Sequence, residues 1–195
     1  MGLSFYYTGR LRQDASVSDL IEEVLDISKI LNWEYHLFDT DLPEQGLVNG
    51  RVNGRLYGIS FSPEGSEPVF LTFLSNRRLC SPVSLWEFKA PVDEVPDDAY
   101  LIFTKTQYAG PNTHMAIINV LRHIGKKYLA EINVTDEGHY WETRDEDLLR
   151  NTFNRYTNLI DSFSSSFSQI ETKPGESIED YILKVLDTLQ KKGGQ

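Results

Sequence analysis

The chain has 195 residues, with 29 acidic residues against 19 Lys plus Arg, a net charge of −10, 40% apolar residues and 25% charged ones. That balance excludes disorder along most of the length and disfavours nucleic acid and anionic membrane surfaces as partners. Cys80 is the single cysteine, which rules out an intramolecular disulfide and a Cys-rich zinc site and suits a small buried hydrophobe.

The amino terminus, MGLSFYYTGRLRQD, lacks the pattern of a secretory leader, and no apolar run approaches the ~18 residues of a membrane span. The sequence therefore predicts a soluble, cytoplasmic protein. LSFYYTG at 3–9 reads as a first strand, bounded by Gly9. Val17, Leu20, Ile21, Val24, Leu25 and Leu31 then fall at helical spacing, with Ser16 or Ser18 as cap and Asp19, Glu22 and Glu23 near the positive end of the helix. WEYHLF at 33–38 returns as a second strand, so the opening third reads as β-α-β.

The middle of the chain holds two Asn-Gly steps, in LVNGRVNGRLYGISF, and Asn-Gly favours a type I′ hairpin tip. SPEG at 62–65 offers a type I turn before PVFLTFL, so this region is expected to be an antiparallel meander. Residues 79–98 contain Pro82, Pro91 and Pro96 and read as a connector with a short strand at 85–88, followed by a strand at 99–106.

Gly110-Pro111 opens a helix carrying Met115, Ile118, Leu121 and Ile124, with Lys126 and Lys127 near its carboxyl end. AEINVT at 130–135 follows as a strand, giving a second β-α-β. In the carboxyl third, Leu149, Phe153, Tyr156, Ile160, Phe163, Phe167 and Ile170 alternate steps of four and three, the seam of one long helix over 146–170. Pro174-Gly175 breaks it, and a last helix from Ser177 carries Ile178, Ile182, Val185 and Leu189.

The expected fold is α+β: a mostly antiparallel twisted sheet with two crossover helices (β-α-β, meander, β-α-β) and a carboxyl-terminal helical hairpin. Residues 1–144 form the sheet domain, 145–190 the hairpin packed on it as one core, and 191–195 a disordered tail.

The densest chemistry lies in DEGHYWETRDED at 136–147, where Thr143 and Glu146 match a capping box and most of the acids suit a helix entrance. His139, with Asp136 and Glu142, could act as base and orienting acid or as metal ligands; His114 is the best second histidine. No HExxH, phosphate loop or G-x-S-x-G is present. Tyr140, Trp141 and Arg10 are candidates for contact with a small anionic or peptide ligand.

The sequence thus favours a non-enzymatic module binding a protein or a small molecule, without nucleic acid, membrane or cofactor. A small metal-dependent or His/carboxylate hydrolase is the rival. A structural homodimer, associating through the Phe163 to Ile170 end, is the third reading.

Overall fold

Alternation sets the first strand. In β1 (Ser4–Leu11), Phe5, Tyr7 and Leu11 are buried, whereas Tyr6, Thr8 and Arg10 keep one side toward solvent, the period of two that a strand with one face on a core requires. A computed structural model describes residues 2–43, 50–87, 96–168, 177, 179 and 182–184. The chain falls into two units, Met1–Arg150 and Asn151–Gln195.

The first unit is α+β, with two three-stranded antiparallel sheets in place of one. β1 is the centre of the first sheet, flanked by β5 (Ile102–Lys105) and β6 (Leu129–Asp136). Because β1 is antiparallel to both, β5 and β6 run parallel to each other, and α3 (Gly110–Tyr128) makes the crossover between them. The second sheet is the meander: β2 (Glu34–Leu37), β3 (Tyr57–Ser62) and β4 (Val69–Phe73) pair in that order.

The opening β-α-β unit is therefore divided between sheets. β5 and β6 occupy both edges of β1, so β2, arriving after α1 (Val17–Ile30), pairs with β3 instead. Several links join the sheets, among them the bond from Thr104 Oγ1 to Pro68 O at 3.0 Å. The buried Tyr7 hydroxyl accepts from Phe70 N at 2.8 Å and donates to Phe70 O at 2.9 Å, standing in for a backbone partner of β4. Residues 79 and 80 bond to either side, Leu79 N to Gly9 O and Cys80 N to Thr72 O, each at 2.9 Å. Burial pushes the Cys80 thiol up to about 12, as suits a packing residue.

α1 begins where Ser16 Oγ accepts from Asp19 N at 3.1 Å. Its buried stripe of Val17, Leu20, Ile21 and Val24 packs toward β3, and each such side chain contributes roughly 1.5–3 kcal/mol of hydrophobic burial. That burial is what holds a 14-residue helix of marginal intrinsic stability. Trp33 stacks on Phe61 at 5.2 Å just after the helix ends. α1 is tied to α3 through Glu23, whose carboxylate accepts from Lys127 (2.7 Å), Tyr128 (2.6 Å) and His123 (2.5 Å). Burial alone would raise Glu23, but these three donors pull it down to about 2.

Several expectations change locally. The second Asn-Gly step is a bend, not a two-residue hairpin tip: Asn53 donates to Tyr57 Oη at 2.8 Å and its own N–H reaches Ser75 Oγ. Asn49, in the first step, lies outside the described residues. SPEG does turn, with Ser66 N on Pro63 O at 3.0 Å and Gly65 at φ +76°.

Of the strand expected at 85–88, residues 85–87 belong instead to α2 (Pro82–Glu87), and residue 88 lies outside the described residues. Ser81 Oγ accepts from Ser84 N at 3.1 Å and Pro82 stands at the first helical position, a start signal that outweighs the β-favouring residues after it. Of the strand expected at 99–106, only β5 forms, after a 3-10 turn over Asp97–Tyr100.

The long helix α5 runs Glu146–Ser168, but its cap is not Thr143. Asp145 Oδ1 accepts from Leu148 N at 2.9 Å, while Thr143 Oγ1 donates back to His139 O at 2.7 Å, closing the short turn α4 (Tyr140–Thr143). Aspartate at the cap displaces the expected Thr143–Glu146 box by two residues because Arg144 adopts a left-handed φ of 59° and breaks the chain direction.

In the second unit, residues to Ser168 are helical, and Ile182–Lys184 are helical within the last expected helix. The side chains of Phe163 and Phe167, Ile170, most of the final helix and the tail at 191–195 lie outside the described residues. Among the described residues no helix is long and apolar enough to cross a membrane.

Candidate functional site

The site begins at a buried polar cluster where α3, β6 and the turn after β6 meet. His114, one turn into α3, and Asp136, the last residue of β6, both have side chains with no solvent exposure. His114 Nδ1 lies 2.7 Å from Thr106 Oγ1 and Nε2 lies 3.1 Å from the Asp136 carboxylate, while the ring meets Phe5 edge-on at 5.9 Å. The Thr106 hydroxyl also reaches Leu3 O at 3.4 Å.

Asp136 does more than hold a histidine. Its Oδ1 accepts from Gly138 N at 2.7 Å and its Oδ2 from Trp141 N at 2.9 Å, so one carboxylate fixes the whole turn that carries His139, Tyr140 and Trp141. Burial would raise the Asp136 pKa, yet the His114 contact and the two backbone donors leave it below the ordinary aspartate range. Glycine fits 138 closely, because a Cβ there would stand 2.5 Å from Leu149 Cδ1 and 3.1 Å from Asp136 Oδ1, so one of these side chains would have to shift. The sequence DEGHY is thus turn chemistry built around a buried acid.

The remaining candidates face elsewhere. His139 is exposed, with a left-handed φ of 58°, and its backbone N–H bonds Asp136 O at 3.0 Å. Its ring does not join His114, which is sealed beneath the turn. Glu142 is exposed, and Tyr140 is buried. Arg10 bonds Glu131 Oε1 at 3.4 Å and Asn76 O at 3.2 Å. Among the described residues no group of three or more His, Cys, Asp or Glu side chains is arranged to hold a metal ion.

Immediately outside the buried pair lies an open groove of about 680 Å³, walled by α3, the start of β6 and α4. Trp141 forms part of it, and the Arg122 guanidinium lies over the Trp141 ring with Cζ 4.5 Å from the centroid. Lys126 and Arg144 line the same groove, as do His123 and Glu131. Burial and the nearby charge of Arg144 both push Arg122 below the ordinary guanidinium range, and among the described residues Arg122 Nε has no hydrogen-bond partner.

The buried pair and the groove are one construction: Asp136 holds Trp141 N, and Trp141 holds Arg122. Arg122, Lys126 and Arg144 were not among the sequence candidates. The four-residue step from Arg122 to Lys126 on α3 is a legible shared face, but their approach to Arg144 depends on the turn at 136–144.

A larger groove of about 850 Å³ lies against β2 and α2, lined by His36, Asp39, Arg55 and Trp86 among others. Its arginine is already matched, since Arg55 Nε bonds Asp39 Oδ2 at 2.7 Å.

Comparison with known proteins gives no match: no family model, no curated protein and no solved structure.

Proposed function

We propose that the chain is a non-enzymatic binding module for a small molecule. The observation that carries this reading is the burial of the His114–Asp136 pair. A general base must reach a proton on its substrate, directly or through one water. His114 and Asp136 have no solvent-facing surface, and their polar atoms are spent on Thr106, Gly138 and Trp141. The exposed His139 sits on the outside of the same turn. What the pair supports is an adjacent concave surface with aromatic and cationic walls, the composition of a ligand site.

A thermal-shift screen tests this. At least one class of small solute is expected to raise the melting temperature, with the shift lost in Trp141→Ala. Turnover of an ester or phosphoester by the purified chain, abolished in His114→Phe, would remove the proposal in favour of the hydrolase reading.

A second reading, docking of another protein, has its own support. Val83, Leu101 and Phe103 are all exposed around a depression of about 390 Å³ beside β5.

A further inference from the structure

The net charge of −10 makes a local concentration of unmatched cations unexpected, and the groove beside α4 contains one. Arg122 and Lys126 project from one face of α3, and Arg144 closes the opposite side. Neither the Lys126 ammonium nor the Arg144 guanidinium has a hydrogen bond or ion pair among the described residues.

The acids nearby are weak neutralisers. Glu131 is engaged by Arg10 at 3.4 Å, and the exposed Glu142 and the buried Asp136 act on Arg122 through space, Asp136 being already bonded to His114, Gly138 N and Trp141 N. His123, the fourth basic side chain of the lining, is taken by Glu23.

Arg122 is also pre-positioned. Its guanidinium carbon sits 4.5 Å from the centre of the Trp141 ring, and Trp141 is in turn fixed through its backbone N–H by Asp136. Arg122 Nε is sealed from solvent, with no hydrogen-bond partner among the described residues, so the terminal nitrogens are the part of the guanidinium available to the groove. A planar guanidinium held in this way suits two-point contact with an oxyanion, and adding two further cations favours a dianion over a simple carboxylate. The volume of about 680 Å³ falls within the range of small-molecule sites. A polyanionic strand would instead meet repulsion from the rest of the acidic surface.

We propose that this groove binds the phosphate group of a small molecule, with Arg122, Lys126 and Arg144 as its ligands. The inference rests on the binding-module reading and names the ligand class of that site.

The test is titration of the full chain with inorganic pyrophosphate at fixed ionic strength, followed by calorimetry and tryptophan fluorescence, with released orthophosphate measured in parallel. Saturable one-to-one binding with Kd below about 1 mM is expected. Arg144→Gln and Arg122→Gln should each weaken it about tenfold, the loss of one charge-assisted hydrogen bond. Trp141→Phe should abolish the fluorescence response while heat is still released. Should Arg122→Gln melt early, Arg144→Gln and Lys126→Gln carry the comparison.

No saturable heat up to about 10 mM, or affinity unchanged in both Arg144→Gln and Lys126→Gln, overturns the phosphate assignment while leaving the module reading to the thermal-shift screen. Tighter binding of a single-stranded oligonucleotide than of pyrophosphate overturns the small-molecule assignment. Hydrolysis of pyrophosphate, lost in His114→Phe, would instead overturn the module reading, even with the groove occupied.

Discussion

Asp136→Ala is the most informative single change. The carboxylate accepts from His114 Nε2 at 3.1 Å, Gly138 N at 2.7 Å and Trp141 N at 2.9 Å, and alanine removes all three acceptor contacts at once. His114 and Gly138 are buried, and an orphaned buried donor costs roughly 1–3 kcal/mol, whereas the half-buried Trp141 N–H recovers part of its loss from water. The expected destabilisation is therefore about 3–6 kcal/mol, a large share of the ~5–15 kcal/mol available to a folded domain. Urea unfolding followed by tryptophan fluorescence measures it, with far-ultraviolet circular dichroism confirming that the variant is folded at zero denaturant. His114→Phe keeps a ring against Phe5 and leaves the carboxylate its two backbone donors, so it should cost less, ~1.5–3 kcal/mol. The double variant should fall short of the sum by ~1 kcal/mol or more, because the two side chains share one bond. A cost for Asp136→Ala within ~1 kcal/mol of zero, or strict additivity with His114→Phe, would refute the view that this pair organises the turn.

The same carboxylate sets a pH dependence. Its folded pKa lies below its unfolded one, so the stabilisation is complete above about pH 4 and is lost as pH falls through the folded value; acid titration of stability should show this loss in the wild type and lack it in Asp136→Asn. Gly138→Ala should destabilise by ~1–3 kcal/mol through overlap with Leu149, and in chemical denaturation the added change Leu149→Ala should show a cost smaller than the sum of the two separate ones. His139→Gly should leave the melting temperature unchanged or raise stability by up to ~1 kcal/mol, since its left-handed backbone is strained for a side chain. Phe103→Lys should abolish any concentration-dependent association seen by analytical ultracentrifugation if the β5 depression is a docking face, and association that survives it would place the contact elsewhere.

Legibility in the sequence followed the range of the interaction. α1, α3 and α5 were readable because apolar spacing and local caps act within a few residues, as with Ser16 and Asp19 or the Val17–Val24 stripe. β1 was readable from its aromatic content and the bounding Gly9, and the meander that holds β3 from its turn residues. The division into two sheets was not, because it depends on which strands take the edges of β1, and those partners lie up to 133 residues away in the case of Glu137 and Ser4. The Thr143–Glu146 motif was a sound local pattern outcompeted by Asp145 once Arg144 turned the backbone. His114 and Asp136 were read as chemically capable residues, but composition carries no information on solvent access, which here decides their use. Arg122 and Arg144 gave no joint signal, since they stand 22 positions apart in the chain (144 − 122) and only the folded turn brings them to one groove.

The Tyr7 bridge between β1 and β4 bears on how the molecule meets alkali. Burial raises the phenol's ionisation above the ordinary tyrosine range, so the bridging proton stays in place while the native state lasts. Stability from this ring is intact below about pH 10 and drains away as hydroxide draws the proton from unfolded molecules first. The phenolate absorbance that separates the wild type from Tyr7→Phe should then arrive together with the collapse of ellipticity, making that difference an optical tally of how many molecules have come apart.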